Sequence, residues 1–176
     1  MFVSHKDALS GFLYLATTAA IVVFPVLVAA GWALRDDPLL FAAAETGLAV
    51  TQNPTRLQLV ISFALGLLPG AVIVWVLVLM RRLFAAFARG DAMSVRAASL
   101  IRQTGRWFVI LAAVQFALVP LQSVILSWGG PVGTRALLVA ISSGMAGALL
   151  AAGLLIVIGR TLLQASEIAA ENREFV

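Results

Sequence analysis

Six arginines, Arg81, Arg82, Arg89, Arg96, Arg102 and Arg106, lie in the stretch "RRLFAAFARGDAMSVRAASLIRQTGR" against one acid, Asp91. A guanidinium is permanently charged and presents a planar fork of donors. Arginines at this density can hold phosphate, carboxylate or an anionic lipid headgroup. Little else in the chain could do chemistry. There is no cysteine, hence no thiolate nucleophile and no Cys-based metal site. The one histidine, His5, stands near the N-terminus, far along the chain from most serines. Asp36 and Asp37 are adjacent, so they point in different directions and make a poor acid–base pair. No phosphate loop, dinucleotide fingerprint or HExxH occurs. These residues point to binding without catalysis: no enzyme, no cofactor and no metal are expected.

The elements that carry the arginines follow from composition. The chain is 62% hydrophobic and 11% charged over 176 residues. Soluble domains run near 45–50% apolar and about 25% charged. A soluble chain of this size could not hide so much apolar surface, so the class is integral membrane protein. The formal charge of +4 then reflects basic loops rather than a nucleic-acid partner. Charged residues fence off four apolar runs, at about 8–34, 57–80, 107–128 and 136–159. Each exceeds the roughly 20 residues that cross a bilayer core. Only helices satisfy every backbone group within such a run. The expected fold is all-α: a single transmembrane domain, a four-helix bundle whose helices extend into the cytoplasm. The first run has a rival reading as a signal peptide, since "LVAAGWA" offers small residues for cleavage. A signal's apolar core is usually about 7–15 residues; this run is longer, so a retained helix is expected.

Nine of the twelve Lys/Arg fall on one side: Lys6, the six loop arginines, Arg160 and Arg173. Arg35, Arg56 and Arg135 fall on the other. That bias places both termini and the 81–106 loop in the cytoplasm. Within the loop, Gly90 suits a helix C-terminus and Ser94 an N-cap, so two helical extensions should meet at the short break "GDAM". Outside, "SWGGPVGTR" predicts a tight turn between the third and fourth helices. In the longer 35–56 connection, Leu39–Val50 reads as a short interfacial helix, and "TQNPT" as a turn into the second helix.

Polar residues within the spans are uncharged. Ion pathways and proton relays usually place ionisable groups at membrane depth, so a proton-coupled pump is disfavoured. Gln115 and Gln122 are seven apart and share a helix face; Ser142 and Ser143 on the fourth helix are their expected partners. Such bonds contribute about 0.6 kcal/mol on average. In "SSGMAGALLAAGLL", Ser143, Gly147 and Ala151 are spaced by four, as are Gly144, Ala148 and Ala152. Small residues at that spacing let helices approach closely, within the bundle or between copies as a homo-oligomer. Pro69 and Pro120 predict kinks.

The basic loop should at minimum set topology. Beyond that it suits anionic headgroups, at about 1 kcal/mol per arginine, with Phe84, Phe87, Trp107 and Phe108 at the interface, or a protein partner. It is too short and too close to the membrane to read nucleic acid directly. The tail 160–176 continues the fourth helix, and Glu167, Glu171 and Glu174 are expected near Arg89, Arg96 or Arg102.

The segment "LFAAFARGDAMSVRAASLIRQTGRWFVI" resembles the signature of a family of small bacterial membrane proteins, the domain of unknown function 2975 family. Leu83, Phe84, Arg89, Gly90, Ser94, Ile101 and Gly105 occupy its motif places. Met93 departs where an aromatic is usual, and Ala98 or Ser99 where an Asn often stands. "ASEIAAENREFV" is similar to the family's acidic closing segment. The resemblance implies a four-helix protein of the bacterial inner membrane without an established activity. It further implies a partner role beside a small helix-turn-helix regulator. The resulting expectation is a non-enzymatic membrane protein that works by binding, through lipid and a membrane protein or regulator. The alternative is a small transporter or channel subunit, for which Gln115, Gln122, Ser142 and Ser143 would line the path.

Overall fold

The computed structural model describes residues 5–34, 37, 55–91, 94–128, 137–139 and 141–174. They form four helices: α1 His5–Ala33, α2 Arg56–Ala88, α3 Val95–Ser127 and α4 Ser143–Glu174. The fold is all-α, and each helix is long and apolar enough to cross a membrane. The chain is a multi-pass membrane protein. At 1.5 Å per residue, the 33 residues of α2 and of α3 extend about 50 Å, some 20 Å beyond a bilayer core of about 30 Å. The surplus carries the arginines.

Helices adjacent in sequence pack together: α1 on α2, α2 on α3, α3 on α4. Each pair is antiparallel. Tyr14 meets Arg81, Gln122 meets Ser62, and Gly105 meets Ile156. The start of α1, the α2–α3 connection and the end of α4 therefore share one end of the bundle, as the charge count requires. Helix α3 is central, with 33% of its apolar window buried against 6% for α1. Leu79, Leu83, Ala97, Leu100 and Ile101 form a buried cluster toward the basic end, joined by Leu155 and Leu162 of α4. Leu111, Ala112, Met145 and Ala148 form a second, deeper one.

The connection at the basic end is built as its residue types demand. Gly90 has φ +83, the left-handed conformation that glycine adopts without strain. Its N–H donates to the Phe87 carbonyl and that of Asp91 to the Ala86 carbonyl, a Schellman closure of α2. Ser94 caps α3, its Oγ accepting from the Ala97 N–H at 3.1 Å. Thr55 caps α2 through a reciprocal capping box with Gln58.

The fourth helix differs from expectation. It begins at Ser143, not near residue 136; Leu137, Leu138, Val139 and Ile141 are not helical. Two polar contacts accompany this start. Ser123 Oγ of α3 accepts from the Leu138 N–H at 3.2 Å, which ties the non-helical stretch to α3. Ser142 Oγ accepts from the Met145 N–H at 3.1 Å, which caps α4 at Ser142. The helices continue through Pro25, Pro69 and Pro120. Leu39–Val50 and most of the 127–135 turn lie outside the described residues.

Helices α3 and α4 approach closely at two glycines. A Cβ on Gly159 would lie 2.8 Å from the Arg102 backbone nitrogen, and one on Gly105 would lie 3.0 Å from the Ala152 carbonyl oxygen. Neither neighbour can yield without moving a helix. Gly159→Leu should lower the stability of the detergent-solubilised chain by about 1–3 kcal/mol, the usual cost of overpacking. Gly147, with open space where a Cβ would sit, is the control: Gly147→Ala should leave stability unchanged or raise it by up to about 1 kcal/mol. Chemical unfolding followed by circular dichroism checks both.

Candidate functional site at the basic end

The 81–106 stretch is a helical hairpin, not a loose loop. Its inward side chains are mainly apolar: Leu83, Ala86, Ala97, Ala98, Leu100 and Ile101 are all buried, as is Thr104, whose hydroxyl donates to the Leu100 carbonyl. Those positions recur at helical spacing, so the charged residues between them must face outward. Arg81, Arg82, Arg89, Arg96 and Arg106 are exposed, as is Asp91; Arg102 is half-buried where Gly159 of α4 crosses its backbone. The hairpin thus presents guanidinium groups on a packed base, which keeps them apart and limits the entropy lost on binding an anion.

Arg81 has a further role inside the protein. Its Nη2 donates to the Tyr14 hydroxyl at 2.9 Å, and the guanidinium carbon lies 5.2 Å from the Tyr14 ring centroid. This contact fastens α1 to α2 at the basic end. The aromatic residues Phe84, Phe87, Trp107 and Phe108 are half-buried. Phe87 and Trp107 pack on the buried cluster, and Phe108 packs on the deeper one. Trp107 further contacts Trp75 at 5.8 Å between ring centroids, and Phe84 meets Phe87 edge-on at 6.3 Å.

The predicted packing residues divide. Gln122 is buried, but its amide reaches α2 rather than α4: Nε2 donates to the Ser62 carbonyl at 3.0 Å. Ser142 is occupied as a cap, and Ser143 is exposed, so neither meets the glutamines. Gln58 makes a second bond of the same kind, Nε2 to the Ile125 carbonyl at 2.9 Å. The capping-box spacing of Thr55 and Gln58 is visible in the sequence; the bond across to α3 is not. Ser62 Oγ and Gln115 Oε1 are buried without a hydrogen-bond partner among the described residues. On α4, Gly144, Gly147 and Ser143 are exposed and Ala151 is half-buried, while Met145, Ala148, Ala152 and Gly159 form the buried stripe. The α3–α4 contact therefore uses a register shifted from the one containing Ser143, Gly147 and Ala151. The side chains of Glu167, Glu171 and Glu174, expected beside the arginines, lie outside the described residues. Among the described residues no three His, Cys, Asp or Glu gather as a metal site.

Arg81→Gln removes the ring contact and weakens the bond to Tyr14. Amide exchange in the first half of α1 should quicken about two- to fivefold, the equivalent of roughly 0.5–1 kcal/mol, with α3 unaffected; hydrogen-exchange mass spectrometry reads both. Comparison with known proteins finds no matching family model, no matching curated protein and no matching solved structure.

Proposed function

We propose that this chain is a non-enzymatic protein of the bacterial inner membrane that works by binding, with its basic end in the cytoplasm as the contact surface. The observation that carries the reading is the hairpin of α2 and α3. Its buried side spends six apolar positions on fixing a turn that lies beyond the lipid, and its outer side carries five exposed arginines. A turn needed only for topology would not require such a base. The excess of Lys/Arg at this end supports its cytoplasmic placement. The resemblance to the domain of unknown function 2975 family belongs to the same proposal and supplies the partner class: a membrane protein or a small helix-turn-helix regulator with an acidic surface.

The reading as a small transporter or channel subunit draws on Ser62 Oγ and Gln115 Oε1, the two buried polar atoms without partners among the described residues. Gln122, the other candidate for a polar path, is engaged by the α2 backbone, and this favours packing over passage. Replacing Gln115 and Gln122 together by leucine should leave the cellular phenotype intact if the protein acts by binding.

A photo-crosslinking residue at Ser99, exposed among the arginines, should capture a protein partner in native membranes. The combined change Arg89→Glu, Arg96→Glu and Arg106→Glu should reduce capture at least about tenfold. Capture of lipid alone, or capture indifferent to charge reversal, would sink the proposal. Reporter fusions after Gly90 and at the C-terminus should both report the cytoplasm.

A further inference from the structure

A groove runs between α1 and α2, from mid-bundle into the half away from the arginine hairpin. It is lined by Phe24 and Gly31 from α1 and by Phe63, Leu67, Gly70 and Val74 from α2, among others, and its volume is about 890 Å³. That falls within the roughly 300–1,000 Å³ of ligand clefts. Glycine makes the space: a Cβ on Gly70 would meet only Phe24, at 4.0 Å. The described lining residues are all apolar or glycine, and they lie within segments apolar enough to span the membrane.

Phe63, Leu67, Gly70 and Val74 follow one another by four, three and four residues, which is one face of α2. Continued toward the start of the helix, that face reaches Arg56, seven residues before Phe63. Seven residues are two turns, about 10 Å. Arg56 is exposed and begins the helix. The headgroup layer on each side of a bilayer is roughly 5–8 Å deep. An arginine stem can extend along apolar surface to place its guanidinium in that layer. The other described charge at this end, Asp37, is exposed and precedes α2 outside any helix.

We propose that this groove is a site for one phospholipid of the leaflet at the Arg56 end: an acyl chain lies between α1 and α2, and Arg56 holds the phosphate. A dry gap is disfavoured, because unfilled space beside Phe24, Leu67 and Val74 would forfeit dispersion contacts, and acyl chains are the medium at hand. Within lipid there is no hydrophobic driving force to favour an occupant, so residence rests on fit in the groove and on the anion at Arg56. A phosphate answers a guanidinium; an apolar helix of a second copy would not.

The test is native mass spectrometry of the full chain released from vesicles of phosphatidylcholine doped with phosphatidylglycerol. The expected result is a monomer retaining one lipid. Gly70→Leu fills the groove and should abolish retention. Arg56→Gln leaves the groove open and should lower retention of phosphatidylglycerol about fivefold. Circular dichroism shows whether each variant keeps its helices, and Ala71→Phe, at another lining residue exposed on α2, replaces Gly70→Leu if that variant misfolds. Retention unchanged by filling the groove overturns the proposal. So does release as a dimer without lipid, which would assign the groove to a second copy.

Discussion

The close approach of α3 and α4 at Gly105 and Gly159 is the contact on which the rest of the bundle leans. Helices in lipid gain nothing from hiding apolar side chains from one another, so their association depends on contact area, which grows as backbones draw near. Two glycines set the distance here, and each faces the backbone of the other helix or the residues beside it. Both lie near the basic end. They hold α4 against the root of the hairpin, and Leu155 and Leu162 complete the cluster that fixes the arginine-bearing turn. Close packing between two apolar spans thereby supports the arginine-bearing surface.

Polar side chains are used sparingly, and mostly on backbone. Gln58 and Gln122 of α2 and α3 each donate to a carbonyl of the other helix. Ser123 and Ser142 each accept from a backbone N–H near the start of α4. Thr17, Thr18, Thr104 and Thr161 return their hydroxyls to carbonyls three or four residues earlier on their own helix. In a medium without water, such bonds satisfy the side chain and tie helices at chosen heights.

The sequence made the four spans legible because charge and apolarity separate so sharply in it. It also made Gly90 and Ser94 legible, because helix stops and starts have local chemical causes. The start of α4 was hidden: residues 137–141 are apolar whether helical or not, and Ser142 and Ser143 stand side by side as equally plausible caps, of which Ser142 does the capping. The partner of Gln122 was hidden for a related reason. Seven-residue spacing tells which residues share a face, and nothing about which neighbour that face meets. The small residues of α4 offered two registers that spacing alone could not rank, and the choice fell to Ala148, Ala152 and Gly159. Among the candidate site residues, exposure of the arginines followed from helical periodicity, while the engagement of Arg81 by Tyr14 required knowing that α1 lies alongside.

Helix α1 stands apart from the rest in how little of it is covered. The chain can accordingly be divided by the sequence in which contacts become available as it emerges. The α2–α3 hairpin has its own short closure and its own cross-bonds, so it can settle as a unit, and α4 locks onto it through the glycines. Helix α1 packs on α2 and makes no comparable contact with α3 or α4. Loss of that one contact would leave α1 inserted but unmoored, while α2, α3 and α4 stay joined to one another.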